Sequence, residues 1–232
     1  MNDHIVASYD DELKSARTLI ARMFGLAEKM LDDAMQALVA RDKVKAQAVR
    51  DTDKELDRIE LEAEELAINI LARRSPVAND LRDTVAVLKI TGMIERMGDY
   101  SKNIAKRTQA LANSPYSKTP ECVKIMGQEA RNSIRNISTA FIEYNDERAM
   151  SVWEEDEKLD TLHNAAFRQI MAIMIEEPEY IGSLTHFLMI AKNLERIGDQ
   201  ATNIAEIIHF SVTGHPIEQK RNKRDQTTKI ID

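Results

Sequence analysis

The sequence predicts an all-α protein built as a tandem repeat of two antiparallel three-helix bundles, six long helices in all. Three observations predict it. Helix breakers are scarce: 7 Gly and 5 Pro in 232 residues, against an average usage of roughly 12% for the pair. Apolar residues recur at three- and four-residue spacing over long stretches. An eleven-residue segment of one half returns in the other: Glu95-Arg96-Met97-Gly98-Asp99-Tyr100-Ser101-Lys102-Asn103-Ile104-Ala105 matches Glu195-Arg196-Ile197-Gly198-Asp199-Gln200-Ala201-Thr202-Asn203-Ile204-Ala205 at an offset of 100, with Glu, Arg, Gly, Asp, Asn, Ile and Ala identical. Similar amphipathic composition explains a shared Ile but not a shared Glu, Gly, Asp and Asn, so the chain reads as a duplication.

The elements follow from punctuation. A first helix is expected from about Asp10 to Ala40, with a turn at Arg41-Asp42. A second runs to about Arg73 and carries Leu56, Ile59, Ala63, Leu66 and Ile70 on one stripe. Ser75-Pro76 ends it, because proline disfavours the helical conformation in the residue before it. A third spans about 79–111, with its stripe at Val87, Ile90, Ile94, Met97, Ile104 and Leu111. The segment Asn113 to Pro120 is the most loop-like interior stretch and divides the chain into bundles at 8–112 and 120–212. A fourth helix fills Glu121 to Tyr144, Asn145-Asp146 turns, and a fifth reaches Glu177 before Pro178. A sixth ends before Gly214-His215-Pro216, with Phe187, Ile190, Leu194, Ile197, Ala201, Ile204 and Ile208 as its stripe. Residues 214–232 read as a polar, disordered tail whose Lys220, Arg221, Lys223 and Arg224 are solvated.

Composition bounds the function. Hydrophobic content of 43% supports a core. A net charge of −7, from 32 Lys and Arg against 39 Asp and Glu, argues against a general nucleic-acid binder, which needs a basic face. One cysteine, Cys122, excludes an internal disulfide framework and thiolate zinc clusters. The N-terminus lacks a basic and apolar leader. The longest purely apolar run, Ile170 to Ile175, is far short of the ~20 residues of a membrane helix. Together these suggest a cytoplasmic protein with no membrane insertion.

The chemistry lies in the repeat. Glu95 and Asp99 are four residues apart, as are Asp53 and Asp57 on the preceding helix, and i, i+4 neighbours share a helix face. A hairpin turning at Pro76 puts Asp57 level with Glu95 and Asp53 level with Asp99. One turning beside Pro178 puts Asp160 level with Glu195 and Asp156 level with Asp199. Each repeat thus aligns four carboxylates on a surface strip, extended one turn by Asn103 or Asn203. Two readings stand: an ion-pair network with Arg58, Arg96 and Arg196, or a multidentate oxygen site for hard cations. Gly98 and Gly198, costly inside helices, suggest close helix approach or ion access. Glu206-Ile-Ile-His209 matches half of a di-iron signature, but Asp160-Thr-Leu-His163 only approximates the second copy that a di-iron bundle needs. His163 and His209 read as ordinary helix residues. No phosphate loop, nucleophile elbow or Cys/His pair is present.

The doubled Glu-Arg-x-Gly-Asp-x-x-x-Asn-Ile-Ala, the Asp-x-x-x-Asp of the preceding helices and the link Arg74-Ser75-Pro76-Val77-Ala78-Asn79-Asp80-Leu81-Arg82 resemble the PhoU family of phosphate-uptake regulators over about residues 8–212. The resemblance implies metal clusters, iron in some members, on Asp53, Asp57, Glu95, Asp99, Asp156, Asp160, Glu195 and Asp199. It implies a non-enzymatic, cytoplasmic negative regulator of the phosphate-starvation response. It implies that such a regulator joins the ATPase subunit of the phosphate ABC transporter to a sensor histidine kinase, as a homodimer or higher oligomer. The competing class is a carboxylate-bridged helical metalloenzyme. Asp80-Leu81-Arg82 has no good counterpart after Pro178, so the halves need not bind the same partner.

Overall fold

The computed structural model of the chain describes residues 2–219 and 221, with side chains from residue 11 onward. Seven α-helices follow in order: α1 (Asn2–Ala40), α2 (Lys43–Arg74), α3 (Ala78–Leu111), α4 (Glu121–Glu143), α5 (Asp146–Glu154), α6 (Asp156–Glu176) and α7 (Ile181–Thr213). A 3₁₀ turn at Pro178–Tyr180 precedes α7. There is no strand among the described residues.

Two boundaries differ from expectation. Helix α1 begins eight residues early, because residues 2–9 contain neither Gly nor Pro to stop it. The expected fifth helix is two, α5 and α6, separated at Glu155, where ψ is −2°. The break sets Asp156 and Glu157 in a new first turn, where unpaired N–H groups favour carboxylates.

The two halves start their second helices alike. Asp42 caps α2, its Oδ1 accepting from the Val44 and Lys45 amides at 2.9 Å. Asn145 caps α5, accepting from the Arg148 amide at 3.0 Å. The residue before each cap, Arg41 or Tyr144, is left-handed, at φ 57° and 52°. A side-chain acceptor at this position satisfies an otherwise orphaned helix-end donor.

Every stripe residue expected to face inward on α3 and α7 is buried. These side chains join those of α1, α2, α4 and α6 in one continuous apolar cluster. Helices α1, α2 and α3 pack on one another, as do α4, α5, α6 and α7. The halves meet through like elements, α1 on α4 and α3 on α7. The first seam carries Arg131 on Asp32 at 2.9 Å and Arg135 on Glu28 at 2.6 Å. In the second, α3 and α7 run antiparallel: Arg82 donates to the Ser211 carbonyl at 3.4 Å, Arg107 meets His186 at 3.4 Å, and Arg196 stacks over Tyr100 at 5.8 Å. This register puts Met97-Gly98 and Ile197-Gly198, the early parts of the two repeated segments, side by side.

The two motif glycines are sites of close approach. A Cβ at Gly98 would lie 2.3 Å from Leu56 Cδ2, and one at Gly198 would lie 2.5 Å from Leu159 Cδ2. The α2–α3 and α6–α7 pairs therefore sit closer than any larger residue permits.

Candidate functional site

Each helix pair brings its carboxylates together, but less on the surface than expected. Asp53, Asp160 and Glu195 are 5%, 4% and 5% exposed. Asp99, Asp156, Asn103, Glu95, Asp199 and Asn203 are half-buried, and Asp57 is exposed. The close approach at the glycines covers the flanks of the strips as well as the apolar stripes.

In the first repeat one cation closes one end. Lys102 Nζ lies 2.5 Å from Asp53 Oδ2 and 2.5 Å from Asp99 Oδ1. The other end is uncompensated. Burial raises the pKa of Glu95 to about 7, with help from the Asp99 and Glu60 charges and a hydrogen bond to Asp99. Partial desolvation of its inner side raises Asp57 as well, followed by the Asp53 charge, against the weaker pull of Lys102. Glu60, which the sequence reading missed, also rises through burial and the Glu64 and Asp57 charges. Like charges crowded at low dielectric disfavour ionisation, and these shifts share that cause.

The second repeat is compensated differently. Position 202, the counterpart of Lys102, is threonine, and its hydroxyl donates to Asp156 Oδ1 at 2.9 Å. The cation comes from the chain's C-terminal segment. Arg221 donates from Nε to Asp156 Oδ2 at 2.5 Å, from one Nη to Asp199 Oδ1 at 2.5 Å and from the other to Asn203 Oδ1 at 3.3 Å. It also pairs with Asp156 Oδ1. Its side chain is only 14% exposed, so it is not the solvated tail residue that composition suggested. Lys192 adds a second cation, 2.8 Å from Glu195 Oε1. Burial still raises the Glu195 pKa, against the opposing pull of Lys192. The other Glu195 oxygen, Oε2, is buried without a hydrogen-bond partner. Glu195 also lines a cavity of about 10 Å³ with Asp156, Asp160, Asp199 and Thr202, room for about one water.

The arginines proposed to neutralise the strips do other work. Arg58 pairs with Glu62 at 3.1 Å, Arg196 covers Tyr100, and Arg96 is exposed. The half di-iron signature is divided as well. Glu206 accepts from the Trp153 indole at 3.1 Å, and His209 meets Asp146 at 2.7 Å. His163 is buried on α6.

The donor set is all hard oxygen, and an orphaned buried carboxylate oxygen suits a cation. As the side chains stand, however, no three His, Cys, Asp or Glu residues among the described residues converge closely enough to hold a metal ion. Lys102 and Arg221 lie between the carboxylates that would have to meet. The four carboxylates, Lys102 and Thr202 are all legible from the repeat, whose 102/202 mismatch signals a displaced cation. The arrival of Arg221 is not.

The family model for the PhoU domain matches residues 20–108 and 123–208, one copy per repeat. Relatives described as phosphate-specific transport system accessory protein PhoU homologues come from Caulobacter vibrioides (strain NA1000 / CB15N), 42% identical over 97% of this chain and 98% of theirs, and Zymomonas mobilis, 40% identical over 96% and 94%. The crystal structure of PhoU from Pseudomonas aeruginosa superposes with a TM-score of 0.86 at 32% identity, covering 89% of this chain and 100% of that one. The Streptococcus pneumoniae phosphate transport system regulatory protein gives 0.84 at 26% identity, covering 91% and 100%. A motif doubled in the sequence, a seam of like helices and a family match over both halves agree: this chain belongs to the PhoU family.

Proposed function

We propose that the protein is a regulatory accessory of phosphate transport that acts by binding other proteins rather than by catalysis. The observation that carries this reading is the match of both repeats to the PhoU domain, with near-full-length relatives that bear the transport-accessory name. Its partners are the ATPase subunit of the phosphate ABC transporter and a sensor histidine kinase, met in the cytoplasm. Among the described residues no helix is long and apolar enough to cross a membrane, so the protein reaches the membrane through such partners. Exposed apolar side chains on the outer helices, Leu61 and Ile68 on α2 and Met171 and Ile175 on α6, offer contact surface without disturbing the core. The test is a deletion strain with a phosphate-responsive reporter. Loss of the protein is expected to leave the reporter on in high phosphate, and a reporter that stays repressed overturns the reading.

The carboxylate strips take iron or another hard di- or trivalent cation. Asp53, Asp57, Glu95 and Asp99 would hold it in the first repeat, and Asp156, Asp160, Glu195 and Asp199 in the second. Bound there, a cation would offset the Asp99 and Glu60 charges that, after burial, raise Glu95, and would draw each helix pair together. Elemental analysis and calorimetry on Glu95→Ala/Asp99→Ala and Glu195→Ala/Asp199→Ala check this. Unchanged metal content in both variants returns the strips to internal ion pairing.

A further inference from the structure

The C-terminal segment leaves α7 at Gly214, whose φ of 77° reverses the chain. Thr213 Oγ1 accepts from the His215 amide at 3.1 Å, and Ile217 packs against the core. Arg221 then reaches Asp156 at the start of α6 and Asp199 and Asn203 on α7. Fifteen helical residues separate Asp199 from Gly214, roughly 22 Å at ~1.5 Å each. Seven residues from Gly214 to Arg221 span at most ~25 Å. The segment is therefore long enough for its guanidinium to land where a cation would neutralise Asp156 and Asp199. Beneath it lie the cavity and the unpartnered Glu195 Oε2.

We propose that this segment is a strap that closes the second carboxylate strip, with Arg221 and a bound cation mutually exclusive there. The inference rests on the cation reading of the strips and adds a regulation to it. Filling the second strip expels the segment, and a docked segment holds the strip shut. Among the described residues the first strip has no such strap: its cation, Lys102, belongs to α3 and stays beside Asp99 when the segment moves. Occupancy of the second repeat is thereby converted into release of the segment that follows Gly214, which a partner can read.

The test uses the full chain with Mn²⁺ as probe. Calorimetric titration compares Arg221→Gln, Arg221→Lys and the unaltered protein, each with the first strip silenced by Glu95→Gln/Asp99→Asn. Where the binding-competent state is a minor fraction, apparent affinity falls by that fraction. A strap closed nine-tenths of the time predicts that Arg221→Gln binds Mn²⁺ about tenfold more tightly, while Arg221→Lys lies between. Trypsin cleavage after Arg221, followed by mass spectrometry, gives the second readout. Saturating Mn²⁺ is expected to accelerate it, and Asp156→Asn to accelerate it without metal. Equal Mn²⁺ affinity with and without Arg221, or cleavage that Mn²⁺ leaves unchanged, overturns the strap alone. A protein that binds no Mn²⁺ in any form overturns the cation reading and the strap together.

Discussion

The two carboxylate strips descend from one pattern yet neutralise themselves by different means. In the first, Lys102 holds Asp53 and Asp99, and burial with the Asp99 and Glu60 charges lifts the Glu95 pKa to about 7. In the second, Lys192 attends Glu195, Thr202 replaces the lysine, and Arg221 arrives from twenty-two residues beyond Asp199. The acids were kept in place while the cations moved. A charge requirement can be met by any cation that reaches the spot, whereas carboxylates facing each other across a helix pair depend on register. The difference also leaves the strips unequal: the first sets one cation, Lys102, against its four acids, and the second sets two, Lys192 and Arg221, against its four but is closed.

The largest expected effect tests whether the helix pairs are equally tight. Leu56 is fully buried beneath Gly98, while Leu159 beneath Gly198 keeps a little exposure. Truncating a buried leucine costs about 2–5 kcal/mol. Leu56→Ala should fall in the upper part of that range and Leu159→Ala in the lower, measured by urea unfolding. Equal losses would erase this side of the comparison.

The cations come next. Lys102→Gln leaves Asp53, which is buried, facing Asp99 without compensation, and should cost about 2–3 kcal/mol. Arg221→Gln should cost less, about 1 kcal/mol, because binding the strap already orders several residues. A larger loss for Arg221→Gln than for Lys102→Gln would mark the tail, not α3, as the main clamp.

The glycines follow. Gly98→Ala and Gly198→Ala each insert a carbon where a leucine methyl already sits, and each should lose about 1–2 kcal/mol despite alanine's better helix propensity. Gly25, in α1 with open space around its Cα, is the control: Gly25→Ala should gain about 0.5–1 kcal/mol. On a Leu56→Ala background the cost of Gly98→Ala should shrink, a non-additivity that two residues in contact must show.

The smallest effect is pH-dependent and belongs to the first strip. A carboxyl whose folded pKa lies above its unfolded value binds its proton more tightly when folded, so stability falls as pH rises between the two values. For Glu95 that window runs from the ordinary 4.5 to about 7. Glu95→Gln should therefore match the unaltered protein below the window and exceed its stability above it. The gain should be about 1 kcal/mol after discounting for solvent screening. Thermal denaturation at pH 4 and pH 8 checks the crossing.

Much of this comparison was legible in the residues. Pro76 and Pro178 set the hairpins, and from them the facing of Asp53 with Asp99 and of Asp156 with Asp199 follows by counting. Gly98 and Gly198 announced a close approach. What escaped was what the approach does to neighbouring side chains: Asp53, Asp160 and Glu195 sit beside the apolar stripes, and the short interhelical distance draws them under cover. The break at Glu155 also escaped, since neither Gly nor Pro marks it. Arg221 escaped for a third reason. Its place depends on a turn at Gly214 and on contacts made beyond the last helix, where periodicity carries no signal.

The seam between the halves has a consequence for how such a chain arose and how it tolerates cutting. Like elements face like elements, α1 on α4 and α3 on α7, and Met97 and Ile197 of the repeated segments lie level across the second seam. This is the geometry of an isologous contact, the self-complementary patch that two copies of one subunit present to each other. The duplicated chain is in effect a dimer whose protomers have been joined end to end by residues 112–120. Joining removes the concentration dependence that governs any dimer, and it frees the two copies to diverge, as the wandering of the second strip's cation records. Because one apolar cluster spans both halves, neither half keeps a complete core when alone. A chain severed in that linker is expected to behave as a bimolecular assembly, stable at high concentration and lost on dilution, which sedimentation of the cut protein over a dilution series checks.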